Sequence, residues 1–256
     1  MVVGLLRTVL TALIALPLAL ALRLALPATR GGWALLVTSA LGGFVLFPVL
    51  FTLGLRDTSA SHAALILASL AVFTGLIAAL FERTAPPARW WLGAAIALIG
   101  EALLIGSRFG LETVEGALLG DLLIVASCVA ASAGYVTGGR LSRTLGTWPT
   151  TLWGIAIGGV VLLPALPFAA AGVAWSAVGV SGVIAIGYLA VVSSLLAYVA
   201  WYWALGAGGI GRVGTWQFAM PIVSLGLAVV ILAEPLSWPL AGSATVILAG
   251  IWITGR

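Results

Sequence analysis

The sequence has no lysine, one cysteine, one histidine and very little charge of either sign, with 7% of its 256 residues being Asp, Glu, Lys or Arg. A soluble domain carries about 25% charged residues, so this chain cannot cover itself with a solvated surface. The single cysteine, Cys128, excludes an intramolecular disulfide, and its apolar surroundings read as a small buried side chain. One histidine and one distant cysteine cannot supply the three or four converging ligands of a zinc centre, so neither a metal nor another cofactor is expected. No phosphate-binding loop is present, which leaves ion or solute gradients, or a partner, as the energy source. No nucleophile with its base and no paired carboxylates are concentrated in neighbouring apolar segments, so the chain does not read as an enzyme. Its eleven arginines are scattered one or two per break, without the basic patch that nucleic acid would need.

What fills the chain is apolar: 62% of residues are hydrophobic and the mean hydropathy is +1.25. A helix crossing a bilayer needs about 20 largely apolar residues. Stretches of about that length lie at 3–26, 33–54, 59–81, 89–108, 116–140, 147–172, 177–205, 210–233 and 236–254, separated by short breaks carrying Gly, Pro or Arg. The chain is therefore expected to be all-α, a polytopic membrane bundle of about nine spans whose solvent is lipid. The first stretch is too long for a signal-peptide core and lacks an Ala-x-Ala exit, so it reads as a retained helix. One set of alternate breaks holds Arg23, Arg30, Arg83, Arg89, Arg140, Arg143, Arg212 and Arg256, and the other only Arg56 and Arg108. Positive residues stay on the cytoplasmic side, so the C-terminus is expected in the cytoplasm and the residues before the first span outside.

An internal repeat organises the spans. Glu82 and Glu234 close two of them, each followed by a short tryptophan-containing loop and a Gly- and Ala-rich span, Gly93 to Gly100 and Ser243 to Gly250. Thr52-Leu53-Gly54 and Ala204-Leu205-Gly206 lie at matching positions 152 residues apart, as do the two glutamates. An odd number of spans between copies inverts one against the other. With the Trp203-Ala204-Leu205 span end, the span from Pro221 to Glu234 with its Glu-Pro-Leu-Ser ending, and the Gly-rich closing span, the sequence resembles the EamA-type permeases of the drug/metabolite transporter superfamily. The resemblance implies two inverted five-helix halves, both termini cytoplasmic, and export of small amphipathic metabolites. Residues 1–110 would form the first repeat with four spans, and 111–256 the second with five. The family's first helix has no counterpart here, and an N-terminal truncation, through a late start or a cut, is expected to explain both the gap and the odd orientation of the N-terminus.

Ionisable groups in a bilayer are costly and by default functional. Glu101, inside 89–108, is a candidate for loading and releasing a proton during transport; alternatively it pairs with Arg7 and holds two helices together. His62, near the outer surface, could respond to pH, orient a substrate carboxylate or simply meet water. Asp121 reads as a helix cap or water-facing group. Ser194, Tyr198 and Trp201 recur on one helix face, and Trp216, Gln217 and Pro221 follow in the next span. Together they could wall a site for an amphipathic or zwitterionic solute, Pro221 serving gating. The competing readings are an aromatic belt for Trp201, Tyr202 and Trp203, and helix-to-helix hydrogen bonding for the polar groups. Tyr135 could reach the same cavity. Gly134-x-x-x-Gly138 and Gly154-x-x-x-Gly158 mark close helix packing or a homodimer face. Pro164 and Pro167 supply either a gating kink or a helix end.

The expectation is a multi-pass exporter in the bacterial inner membrane, working by alternating access. Its partners would be the lipid bilayer and a small-molecule substrate, amino acids with aromatic or amphipathic side chains being the first choice. The rivals are an exporter of another metabolite or drug and a membrane subunit that transports nothing.

Overall fold

The computed structural model describes residues 2–109, 118–171, 173, 175, 178–232 and 238–255. In lipid every backbone polar group must be satisfied within the chain, and the described residues do this with helices. These are α1 (Val2–Ala21), α2 (Arg30–Gly54), α3 (Ala60–Ala68 resuming as Leu70–Glu82), α4 (Ala88–Phe109) and α5 (Leu118–Leu145). They continue as α6 (Thr147–Ala170), α7 (Val180–Gly208), α8 (Ile210–Gly214), α9 (Met220–Leu232) and α10 (Trp238–Gly255). Among the described residues, eight helices are long and apolar enough to cross a membrane. The expected span at 210–233 is not among them; its described part runs as α8, a 3-10 turn at Thr215–Ala219, and α9. Pro221, expected in mid-span, sits in the first turn of α9, where its missing N–H leaves no ladder bond unmade.

The chain's surface is that of a protein in lipid. Leu80, Phe168, Val183, Ile184 and Val230 are exposed, whereas Ser39, Thr74, Ser127, Ser132, Thr150 and Thr151 are buried. The buried hydroxyls satisfy themselves locally: Thr74 donates to the Leu70 carbonyl at 2.9 Å and Thr151 to that of Thr147 at 2.8 Å.

Several boundaries depart from the sequence expectation for identifiable reasons. α1 ends at Ala21, five residues short of the expected end, because Arg23 turns left-handed (φ 50°) and Leu24 N–H bonds back to the Ala19 carbonyl at 3.0 Å. Arg83 ends α3 the same way, with φ 54° and Thr84 N–H on the Ala79 carbonyl at 3.1 Å. α5 does not stop at 140 but runs to Leu145, and Gly146, at φ 96°, makes the turn. Arg140 and Arg143 therefore lie on helix and not in a loop. The Glu234-Pro235-Leu236-Ser237 run and Arg256 lie outside the described residues, as do the expected starts of the spans at 116, 177 and 236.

The chain divides into two compact units, 1–53 with 130–209 and 54–129 with 210–256. Each thus draws helices from both sides of residue 110. In the first unit, glycine allows backbones to meet: a Cβ on Gly134 would lie 2.6 Å from Gly43 N, and one on Gly158 2.7 Å from the Phe44 Cβ. The two Gly-x-x-x-Gly motifs therefore serve packing inside this unit. In the second unit α4 and α10 meet through Gly93, Ala97, Gly100, Ile247 and Gly250. Around that crossing lies a core of Ala71, Trp90, Ala94, Leu104, Phe218 and Ile251.

Two helices carry π turns, α2 at Ala40–Leu46 and α7 at Val191–Leu196, and both belong to the first unit. Each has a local cause. Pro48 lacks the N–H that would continue the α ladder in α2, and the Phe47 N–H bonds to the Gly42 carbonyl, five residues back. In α7 the Ser194 hydroxyl inserts into the ladder and donates to the Leu189 carbonyl at 2.8 Å.

Candidate functional site

The two π turns and α1 enclose a small cavity of the first unit, lined by Arg7, Thr8 and Thr11 of α1, Gly43, Phe44 and Pro48 of α2, Ile155 of α6, and Ser194 and Tyr198 of α7. It is closed down to about 10 Å³, room for about one water. Beside it stands a cluster of five rings. Phe44 and Tyr198 approach to 4.6 Å between centroids, Tyr198 and Tyr202 to 6.1 Å, Tyr135 and Tyr198 to 6.4 Å, and Tyr135 and Trp201 to 5.7 Å in an edge-on contact.

Arg7 is the cation of this cavity, sharing its wall with Phe44 and Tyr198. Its Nε is buried without a hydrogen-bond partner, and so is the indole N–H of Trp201. The hydroxyls of the cavity wall are committed elsewhere. Thr8 donates to the Gly4 carbonyl at 3.1 Å, Thr11 is placed against the carbonyls of Arg7 (2.6 Å) and Ala190 (3.1 Å), and Ser194 donates to Leu189. The unpartnered polar atoms of the cluster, Arg7 Nε and Trp201 Nε1, are donors.

Behind the cavity Tyr202 is fully buried and its hydroxyl shares a hydrogen bond of 2.8 Å with Ser39. Its neighbour Trp203 is 64% exposed and takes the membrane-facing place expected of belt aromatics. Sequence reasoning grouped Tyr202 with that belt and did not single out Phe44. For Tyr202 a signal existed, since it lies four residues from Tyr198 and shares its helix face. Phe44 carries none without the packing of α2.

The expected constellation is divided between the units. Tyr135, Ser194, Tyr198 and Trp201 come together with Arg7 in the first, whereas Trp216, Gln217, Pro221, His62 and Glu101 belong to the second. There, Gln217 is buried and donates through Nε2 to Thr74 Oγ1 at 3.1 Å, its Oε1 remaining buried without a partner. Trp216 is 60% exposed and lines a surface cleft with Arg212, Leu248 and Trp252. Glu101 is only 1% exposed on the inner face of α4, in line with Ala97 and Leu104, and its Oε2 has no hydrogen-bond partner. His62 Nδ1 lies 3.3 Å from Asp121 Oδ2, and Asp121 Oδ1 accepts from Thr58 at 2.5 Å. Asp121 thus ties the start of α3 to the start of α5, a role beyond the cap or water-facing group expected of it. Cys128 is buried and lies 3.8 Å from the Ile66 carbonyl. Among the described residues no group of three or more His, Cys, Asp or Glu could hold a metal ion.

Ring cluster, cavity arginine and paired π turns belong to described residues that are helical, in a chain whose sequence, over 1–106 and 118–256, matches the EamA-like transporter family. The chain belongs to that family. It is an EamA-type permease of the drug/metabolite transporter superfamily, a multi-pass membrane transporter. Among its relatives is the uncharacterized transporter YdeK of Bacillus subtilis (strain 168), 35% identical over 217 residues, which cover 84% of this chain and 72% of YdeK. An uncharacterized transporter of Archaeoglobus fulgidus is 25% identical over 214 residues, covering 84% of this chain and 74% of its own length. A solved crystal structure with 19% sequence identity shares the fold at a TM-score of 0.82, over 98% of this chain and 85% of the other.

Proposed function

We propose that this EamA-type permease exports a small amphipathic metabolite across the bacterial inner membrane by alternating access, with aromatic or amphipathic amino acids as the leading substrates. The observation that carries this reading is the cavity of the first unit, where Arg7 shares the wall with Phe44 and Tyr198, and Tyr135 and Trp201 pack behind Tyr198. Rings supply apolar and stacking surface, and the cation gives the solute's polar end a fixed orientation. The arginine distribution favours a cytoplasmic C-terminus. The match to the family in two stretches, either side of 110, favours two repeats, 1–110 and 111–256, moving as the halves of an alternating-access cycle. The buried, incompletely hydrogen-bonded Glu101 is the candidate for proton coupling.

The test is counterflow of labelled phenylalanine, tryptophan and leucine in proteoliposomes containing the purified chain. Saturable counterflow that Tyr198→Ala shifts from one amino acid toward another is the expected result. Absence of counterflow for all three, from protein that elutes as a single species, would remove amino acids as the substrate class.

A further inference from the structure

The charges of this chain are divided unevenly between its units. All seven acidic residues, Asp57, Glu82, Glu101, Glu112, Glu115, Asp121 and Glu234, fall within the ranges of the second. The first unit contains five arginines, Arg7, Arg23, Arg30, Arg140 and Arg143, and no carboxylate. Arg7 therefore finds no counter-charge in the unit that encloses it, although its Nε is buried. Arg7 is half-buried, and a cation held in an apolar segment with no carboxylate of its own unit is a costly arrangement that a bound anion would relieve.

The chemistry around Arg7 limits what can fill that role. The threonine and serine hydroxyls of the cavity wall spend their protons on backbone carbonyls, so they hold no free donor. The unpartnered groups of the cluster, Arg7 Nε and the Trp201 indole N–H, are both donors. Of the two, Arg7 lines the cavity and Trp201 stands behind it against Tyr135, so a ligand that complements the cavity is an acceptor carrying one negative charge. A single guanidinium neutralises a carboxylate, whereas a phosphate dianion would leave an unbalanced charge in a medium of low dielectric. An ammonium group would find hydroxyl lone pairs and ring faces here, but it would stand beside the Arg7 cation with no carboxylate of the same unit to meet. The adjoining rings of Phe44, Tyr198 and Tyr135 then suit a flat apolar body.

We infer that the cavity of the first unit is a subsite for the carboxylate of a monoanionic acid with an aromatic or bulky apolar body, with Arg7 as its counter-charge, and that an amino group on the solute is not required for binding. This rests on reading that cavity as the solute site, and it widens the substrate class from amino acids to simple aromatic carboxylic acids.

The experiment is equilibrium binding to the full chain in detergent micelles, followed by tryptophan fluorescence and repeated by calorimetry, with four probes that share one ring. 3-Phenylpropionate carries only the carboxylate, phenylalanine both charged groups, phenethylamine only the ammonium, and phenyl phosphate the dianion. The expected result is saturable binding of 3-phenylpropionate at least as tight as that of phenylalanine, with phenethylamine and phenyl phosphate weaker than both by about tenfold or more. Arg7→Gln should weaken 3-phenylpropionate by about tenfold or more, since it removes a charge-assisted hydrogen bond. Arg7→Lys keeps the charge and loses the planar fork, so it should bind more weakly while still preferring the carboxylate over the amine. Trp201→Phe removes the N–H and trims the indole to a phenyl ring; a smaller loss for 3-phenylpropionate is expected. Phenethylamine binding as tightly as 3-phenylpropionate, phenyl phosphate binding more tightly, or an Arg7→Gln affinity within about twofold of the parent would each overturn the inference. So would failure of every probe to bind. Should Arg7→Gln not fold, the order of the four probes on the parent and on Arg7→Lys decides the matter. Arg7-dependent binding of 3-phenylpropionate without amino-acid counterflow would sink amino-acid export and leave the subsite standing. Counterflow of phenylalanine unchanged in Arg7→Gln would do the reverse.

Discussion

The crossing of α4 and α10 offers a test in which one residue type gives opposite results at two places on one helix. A Cβ added to Gly250 would lie 2.5 Å from Ala97 N, 2.7 Å from Ala97 Cβ and 2.7 Å from the Gly93 carbonyl oxygen. Two of these three neighbours are backbone atoms, so no rotamer change relieves the clash. The helices must separate by about 0.9 Å before the contacts become ordinary. Overpacking of this kind costs about 1–3 kcal/mol, and alanine's better helix propensity returns about 1 kcal/mol. Gly250→Ala should therefore destabilise by up to about 2 kcal/mol, which lowers the melting temperature by up to about 6 °C for a chain of this size. Gly242, eight residues earlier on α10, is exposed and has nothing within 4 Å of the added carbon. Gly242→Ala should leave the melting temperature unchanged or raise it. The assay is thermal unfolding of purified protein in one detergent, followed by tryptophan fluorescence and by loss of the monodisperse peak. If Gly250→Ala melts at or above Gly242→Ala, the close approach of α4 and α10 is refuted.

Other consequences are open to measurement. Tyr202→Phe loses a buried hydrogen bond to Ser39 and should cost about 1 kcal/mol, with Ser39→Ala costing a similar amount and the double variant little more; additive losses would show that the hydroxyls do not meet. Thr74→Val keeps the shape but removes the acceptor of Gln217 Nε2, so a loss of about 1–3 kcal/mol is expected in the same melting assay, and a neutral result would count against that bond. Glu101→Gln should insert and melt like the parent, yet flatten the pH dependence of counterflow; an unchanged pH profile would remove Glu101 from coupling.

The sequence reading reached the bundle because a bilayer imposes a length and a composition on every span, and both are local properties. It reached the inward-facing Glu101 for the same reason, since a charge in the middle of an apolar segment is visible without any knowledge of neighbours. It missed features decided by neighbours. The span expected to end at 140 runs on to Leu145, and although Gly138 read as a close-packing glycine, its partners, the Tyr202 ring and Ser39 Oγ, were not legible. Trp201, Tyr202 and Trp203 are consecutive aromatic residues near a helix end, yet Tyr202 is wholly buried and Trp203 largely exposed. Helical rotation separates them, and only the position of α5 shows which face is inside. The pairing of His62 with Asp121 links residues 59 apart, a distance over which no sequence periodicity carries.

The two π turns join the sequence spacing to the cavity. Moved along by 152 residues, Ala40–Leu46 falls on 192–198, over the second turn at Val191–Leu196. The same backbone departure therefore recurs at the 152-residue spacing of the proposed repeats, although a proline accompanies it in one place and a serine hydroxyl in the other. A π turn inserts a residue into the helix and shifts the side chains that follow, so it opens space and re-aims groups without breaking the ladder. Both turns border the cavity that holds Arg7, one presenting Gly43 and Phe44, the other Ser194 with Tyr198 just beyond. Shared backbone geometry with unlike side chains gives that cavity a tight, ring-bearing wall from α2 and a hydroxyl-bearing wall from α7. Straightening α7 by Ser194→Ala should therefore disturb solute binding more than protein stability. The measurement is 3-phenylpropionate affinity set beside the melting temperature of the same variant, and a fall in melting temperature with unaltered affinity would assign the turn to folding alone.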